Sequence, residues 1–523
     1  MLDTKVQHEP TTDKQDFEII EPAPKRRGVR SIIKEFSLNT SIVGPSGIAR
    51  SESIHNRLYW TVALISFTGI MLYFIVEAIL AYFDYPTQTS VSVVFEWPQA
   101  FPAVTICNYA SIRYDRFIGP FLNYTNALNL TNTTDTTNFT VAQINYIDDF
   151  LIDVVNKGEP LNDYFFPLSG MMMSCSYNGV ACTAANFTSF ISPTYGMCYT
   201  FNAKLKNIDN GGIRYNSDNG ANGLLQLALY AHEQQYVPFR THVLLSSFER
   251  LGTGIVALVH DNSEVPNVEM ESVFLAPGRH HKLGYKKVTS TFLSSPYTTC
   301  TDTVGPGLQI LLNEYNGADY AYSQYHCFTA CIQAYTYENC GCGNPNFWNI
   351  QAVVTLDSQK TINISLCNMS NPCPGERRTM LMNTVSIWNE YCSDCTGECS
   401  ATDFTIKSSS LLTPQSAMLA DIKRFVESSN IPLSSNWSTS WISDIQSNYV
   451  ALDVAYASFR TDVYTQQATL GPVDVLSNVG GQTGLWIGIS FLSMLEIVEM
   501  IYRLFHYQFH NIRIAVKNRL DTQ

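Results

Sequence analysis

Two long apolar stretches near the two ends organise the chain. Leu58 to Phe83 runs 26 residues with one charge, Glu77. As a helix it would measure roughly 39 Å at 1.5 Å per residue, enough to cross a bilayer with some tilt. It starts too far into the chain and is too long for a secretory leader, and no small-residue cleavage site follows it. The second stretch, Asn478 to Arg503, is long enough to cross but poorly made for a plain anchor. Gly480, Gly481, Gly484 and Gly488 crowd its first half, and Glu496 and Glu499 lie in its second. Carboxylates inside a membrane cost about 3 kcal/mol each unless they face water or a partner, so they point to function. Glycines allow close helix approach or a locally opened backbone, tolerated only inside protein or beside a water-filled cavity. Backbone carbonyls from such a break, with carboxylates beyond it, are the materials of a cation pathway. A tail anchor with a small-residue packing face is the plainer reading, but it leaves both glutamates unexplained.

Between the two stretches the apolar pattern shortens to strand-like runs. Ala103–Asn108, apolar and β-branched after Pro102, reads as a buried strand, and Gly254–Val259 and Tyr449–Ala468 alternate as strands do. Residues 111–195 are the least regular part, with polar Thr/Asn runs and an acidic-aromatic patch from Asp148 to Phe166. Cys327 and Cys331, four apart, fall on one face of a helix. Ahead of the first stretch, Ser31–Phe36 suggests a short helix.

Composition adds an orientation. The chain has 523 residues, 45% apolar and 15% charged, so it builds a large core. The first 57 residues hold nine Lys/Arg, including Lys25, Arg26, Arg27 and Arg30, and the end adds Arg513, Lys517 and Arg519. Positive residues stay cytoplasmic. Eight glycosylation sequons lie between the stretches, at Asn123, Asn129, Asn132, Asn138, Asn186, Asn363, Asn368 and Asn436. All 14 cysteines, Cys107 to Cys399, lie there too. An even count in an oxidising compartment implies disulfides, and scarce neighbouring histidine argues against zinc. The expected topology is a multi-pass plasma-membrane protein with both termini cytoplasmic and a large glycosylated domain outside. That outer segment carries 33 acidic side chains against 19 basic ones, which concentrates cations and excludes nucleic acid as a partner.

The run G-G-Q-T-G-L-W-I-G-I-S-F-L-S-M-L-E, ending at Glu496, resembles the second membrane span of the degenerin/epithelial sodium channel superfamily. F-P-A-V-T-I-C-N, Phe101 to Asn108, is similar to its first palm strand, and Leu275–Gly278 followed by Pro296–Cys300 also resembles it. The resemblance implies an α+β membrane protein: two transmembrane helices plus a disulfide-rich extracellular domain of palm, β-ball, finger, thumb and knuckle, in a trimeric channel. The expected division is a cytosolic tail 1–57, a first span 58–83 and an extracellular domain 84–479. Within that domain the finger takes about 111–195 and the thumb about 300–400. The second span and pore take 480–506, and a cytosolic tail 507–523.

By the same resemblance Gly488, Ile489 and Ser490 form the selectivity filter, and Glu496 and Glu499 form carboxylate rings that draw Na⁺ inward, with no cofactor. Gly484 matches the site of amiloride-type blockers. Ser477 matches the position where bulky side chains hold family members open, and Asn478 and Gly481 lie near the gate. Tyr297 and Tyr82 are the pair implied to couple the outer domain to the membrane. Ser46-Gly47 aligns with a His-Gly pair that influences gating. The implied disulfides are Cys107–Cys198, Cys175–Cys182, Cys300–Cys399, Cys327–Cys395, Cys331–Cys392, Cys340–Cys373 and Cys342–Cys367, which use all 14. The partners implied are two further copies of the chain in a homotrimer, membrane lipid and an extracellular ligand.

The acid-sensing branch has a histidine above the first span where this chain has Asp84. The G-L-W-I-G-I-S filter is most similar to invertebrate channels gated by RFamide-type neuropeptides such as FMRFamide. Such a peptide needs apolar-aromatic walls and a carboxylate. In the finger Phe165, Phe166, Phe187, Phe190, Asp148, Asp149 and Asp163 supply them. A proton-gated or mechanically gated channel of the same superfamily is the alternative. A double-anchored ectoenzyme shares the topology, but Asp209–Gly211 and Asp218–Gly220 lack a following hydroxyl, His232-Glu233 belongs to no H-E-x-x-H, and His280-His281 has no third ligand.

Overall fold

The structure is a computed structural model and describes residues 28–216, 223–238, 252–315, 317–355 and 360–520, with side chains in the last helix to 516. The basic cluster at Lys25–Arg27, the Asp218–Gly220 run and the side chains of Lys517 and Arg519 lie outside the described residues. The chain divides into two compact units, residues 1–86 with 469–523, and Thr87–Ala468.

In the first unit a helix spans Val29–Asn39, a second spans Val43–Arg50, and a third, Ile54–Phe83, is long and apolar enough to cross a membrane. This third helix begins four residues before the apolar stretch and takes His55 and Arg57 into its first turn. The returning segment is two helices, Pro472–Ile487 and Phe491–Leu520. The first of these and the second as far as Val516 qualify together as one broken span, bent by 75°. Pro472 enters at the first turn, where a missing N–H costs nothing, and the Asp474 carboxylate accepts from the Gly471 N–H at 2.8 Å.

The second unit is built on two sheets. The larger has eight strands, in the order Thr87–Phe95, Arg460–Ala468, Arg279–Thr291, Tyr449–Tyr456, Leu224–Tyr230, Met172–Tyr177 and Val180–Ala181, with Ser400–Leu412 also paired to Arg279–Thr291. The alternating run Tyr449–Ala468 is thus two strands, separated at Ala457–Phe459. The smaller sheet orders Val273–Leu275, Ile255–His260, Ala103–Asn108, Gly196–Phe201 and Phe187–Ser192. Every residue of Ala103–Asn108 is buried, the polar Thr105 and Asn108 being bonded to Thr200 and to Ala231 O. Phe101, Val104, Tyr285, Leu452 and Val454 share the main core between the sheets.

Two helices, Tyr114–Ala127 and Ile147–Asn156, pack through Phe117, Phe121 and Phe150 into a separate core. Cys327 and Cys331 lie one turn apart on the helix Gln324–Cys340 and bond to Cys395 and Cys392. The other bridges are Cys107–Cys198, Cys175–Cys182, Cys300–Cys399, Cys340–Cys373 and Cys342–Cys367, and no cysteine is free. All eight sequon asparagines are exposed.

Candidate functional site

The break in the returning span lies at Gly488–Ser490. Gly488 ends the first half with φ 73° and ψ 24°, a left-handed conformation that favours glycine. Its N–H donates to Gly484 O and the Ile489 N–H to Thr483 O, both at 3.2 Å, so the half-helix closes in a C-terminal turn. Ser490 then opens the second half. Its Oγ accepts from the Ser493 N–H at 3.2 Å, and its own N–H donates to Ser493 Oγ at 3.2 Å. This reciprocal cap stabilises a new helix start directly after the break. A helix C-terminus presents carbonyl oxygens and the negative end of its dipole, which suits a cation.

Above the break Trp486 lies against Phe67 and Phe74 of the first span, with ring centroids 5.9 and 6.0 Å away. Gly480 and Gly481 face open space within this chain: an added Cβ at either meets nothing within 4 Å. Ser477 and Asn478 sit mid-helix, one turn before Gly481.

Below the break the carboxylates have partners from two directions. Glu496 Oε2 accepts from Thr40 Oγ1 at 2.8 Å and from the Ser41 N–H at 3.0 Å. Glu499 pairs with Arg503 at 2.6 Å, and Arg503 also reaches Glu35 at 3.5 Å. The segment before the first span therefore belongs to this site. The residue that abuts Gly488 is Val43, whose Cγ2 lies 3.2 Å from where a Gly488 Cβ would be. Gly47 instead lies against the Trp60 ring of the first span, and the Ser46 hydroxyl donates to Val43 O at 3.0 Å. The sequence signal for Thr40, Ser41 and Val43 is weak, because a short polar run ahead of a span carries no period.

The finger candidates do not converge, which corrects the expectation of a common ligand wall. Phe165, Phe166 and Phe190 are 3%, 2% and 5% exposed and belong to three different cores. Large rings in a domain rich in apolar neighbours gain more from burial than from lining a surface. Asp148 is also buried, Phe187 and Asp149 are half-buried, and Asp163 alone of the set is exposed. Tyr82 lies in the first unit beside the Phe83 and Tyr85 rings, and Tyr297 follows Pro296 in a turn of the second.

A different site in the second unit gathers six carboxylates. A cavity of about 400 Å³ is lined by Asp261, Glu264, Glu271, Asp302, Glu398 and Asp403. Burial, then the Glu271 charge, pushes the Glu264 carboxyl up to about 8. Burial, then Asp403, raises Glu271, and burial, then Glu398, raises Asp403. Among the described residues no group of three His, Cys, Asp or Glu is arranged to hold a metal. His280 pairs with Asp453 at 3.0 Å, and His281 Nε2 bonds to Ala276 O.

The family described as "ASC: Amiloride-sensitive sodium channel" matches residues 36–500. The chain is similar to acid-sensing ion channel 1A of Danio rerio, 25% identical over 494 residues, 91% of this chain and 89% of that protein. It is also similar to acid-sensing ion channel 4 of Mus musculus, 25% identical over 470 residues, 88% of this chain and 76% of that one. Epithelial sodium channel subunit gamma-2 of Xenopus laevis is 27% identical over 371 residues, 68% of this chain and 49% of the relative. The family match runs from the last turn of the helix Val29–Asn39 through the carboxylates below the break, and these relatives are ion channels rather than enzymes. The chain belongs to the amiloride-sensitive sodium channel family, whose plan is a trimer of two-span subunits.

Proposed function

We propose that the chain forms a homotrimeric sodium channel of the plasma membrane, both termini cytoplasmic, opened from outside by an RFamide-type neuropeptide such as FMRFamide. The observation that carries the reading is the G-L-W-I-G-I-S segment, Gly484–Ser490, set at a helix break with a left-handed glycine. Gly488, Ile489 and Ser490 are the proposed filter, Glu496 and Glu499 the proposed inner carboxylates, and Gly484 the proposed blocker site. The open faces of Gly480 and Gly481 suit close approach by two further copies. Tyr82 and Tyr297 are the proposed coupling pair, and the exposed Asp163 is the finger carboxylate left to receive the peptide's Arg. The proposed divisions are 1–57, 58–83, 84–479, 480–506 and 507–523.

A specific observation favours a second reading, proton gating. Six acidic side chains, Glu264 among them, line one cavity, and burial with neighbouring charge raises the Glu271 and Asp403 carboxyls, which disposes the cluster to take up protons. The test is current through this chain expressed alone in oocytes, with FMRFamide and then pH 5, each with and without amiloride. A peptide-evoked, amiloride-blocked Na⁺ current supports the first reading and shows that one kind of subunit suffices. Current to acid alone replaces it with the second. Silence to both, with the protein at the surface, removes both gating proposals.

A further inference from the structure

Past its carboxylates the second half of the broken span continues as a helix to Leu520 and turns an apolar stripe outward. Tyr502, Phe505, Phe509, Ile512 and Val516 recur at alternating spacings of three and four. Each is more than half exposed, from 53% at Val516 to 71% at Phe505, so one chain leaves the stripe uncovered. At about 100° per residue the five fall within an arc of about 80°. That is the narrow seam of a coiled coil, not the broad face of a helix laid on a core or a lipid surface. The opposite side of the helix is already in use: Met500 and Arg503 line a cavity with Ile32, Glu35 and Phe36, and Leu504, Tyr507 and Ile514 are half-buried.

We propose that Tyr502–Val516 is a docking surface for two further copies of this chain, forming a parallel three-helix seam below the pore. The family's trimeric plan supplies the occupants, since three subunits bring three such helices side by side and in register. Spacings of three and four keep one face towards a partner along the whole seam. The flanks agree with this pairing. From Met500 to Leu520 the helix carries Arg503, Arg513, Lys517 and Arg519 and no carboxylate, so self-association needs its basic groups kept apart. In a parallel seam Gln508 faces the partner's Arg513, an uncharged group against a charged one. Two heptads alone are marginal, as are isolated helices of about 12–15 residues. Held in one assembly, the copies meet at roughly millimolar effective concentration, which makes a short seam sufficient. The seam starts below Glu499, leaving both carboxylates clear, and its packed rings close the axial route beneath them, so ions leave sideways between the helices. The claim rests on the homotrimer reading and is independent of what opens the pore.

All 14 native cysteines are in disulfides, so one introduced cysteine gives each chain a single free thiol. Phe509→Cys and Ile512→Cys place it in the seam, and His510→Cys places it on the basic flank. Membranes carrying each full-length variant are oxidised mildly, and the size of the same protein in mild detergent is measured without oxidation. On non-reducing gels most of the Phe509→Cys and Ile512→Cys chains run as covalent dimers, which reduction reverses, while His510→Cys stays monomeric. Adding Phe505→Asp, which puts a charge into the seam, lowers the Ile512→Cys link severalfold. Trimers whose three thiols link alike, or not at all, overturn the seam and leave the homotrimer standing. Monomers in detergent, with no link in the membrane, remove the homotrimer reading and the seam together. A fluorophore on Phe509→Cys that is quenched by brominated lipid in intact trimers gives the stripe to the membrane, and likewise overturns the proposal.

Discussion

The two units hold together by different means. Within Thr87–Ala468, seven disulfides join strands and helices, and Phe101, Phe201, Tyr285 and Tyr449 are at most 2% exposed. The other unit has no cysteine. Among its described residues the buried groups are few: Ile42, Met71, Gly44, and the small polar Thr40, Ser51 and Ser493. Its cohesion comes from glycine-to-aromatic seats, such as Gly47 on Trp60, and from hydroxyl-to-carboxylate bonds such as Thr40 to Glu496. A domain stapled in this way changes shape reluctantly. Helices joined by a few polar contacts, with apolar surface left for lipid and further copies, can rearrange at low cost. The cohesion of the outer unit suits receiving a signal, and the looseness of the membrane unit suits acting on it.

The largest effect comes from removing a staple. Cys331–Cys392 closes 61 residues beside a small core of Ile332, Tyr335 and Leu381. Serine at both positions costs the outer unit about 3–5 kcal/mol. Limited proteolysis of solubilised protein will cut between residues 324 and 395 in the variant and not in the parent. Equal resistance would mean that this core holds without its bridge.

The next tests the membrane unit by packing alone. Gly47→Val places branched carbons into the Trp60 ring, whose nearest atom lies 2.5 Å from an ideal Cβ. Overpacking of this kind costs about 1–3 kcal/mol. With no disulfide to hold the helix Val43–Arg50 in place, the segment lifts from the first span. Thiol accessibility of a Val43→Cys reporter rises, while protease resistance of the outer unit stays at the parental level. A change in both would show the two kinds of cohesion to be coupled.

Much of this division is readable in the sequence, for definable reasons. Leu58–Phe83 declares itself because apolar length is a one-dimensional signal, and Ala103–Asn108 because apolar, β-branched residues follow a proline. The break at Gly488 is visible as glycine crowding, but its 75° bend is not, since φ at one residue leaves no mark on a hydrophobic pattern. Cysteine spacing leaves the pairing open, and only the resemblance supplied a connectivity. The finger phenylalanines show the opposite limit. An aromatic-acidic patch reads alike whether its rings face water or three separate cores. The carboxylates around Glu264 leave no sequence signature, because Asp261–Glu271, Asp302 and Glu398–Asp403 are three separate parts of the chain that meet only after folding.

Those carboxylates give the smallest effect and test whether the outer unit is as rigid as its bridges suggest. Burial and the Glu271 charge raise the Glu264 carboxyl to about 8, above its ordinary 4.5. Below pH 4.5 the group is protonated whether folded or unfolded, and it contributes no difference. As pH rises from 4.5 towards 8 the unfolded chain releases the proton while the folded one retains it, so folding loses stability across that window and levels off above it. The expected loss is of order 1 kcal/mol, since the cavity is open enough for water to relieve part of the penalty. Glu264→Gln, neutral at every pH, removes this slope: its melting temperature exceeds the parent's at pH 8 and matches it at pH 4.5. A parental slope surviving in the variant would assign the titration to Glu271 and Asp403, whose carboxyls are raised by the same burial. A flat parent would mean that the cavity opens as its carboxylates ionise, and that the bridges leave this part of the outer unit free to move.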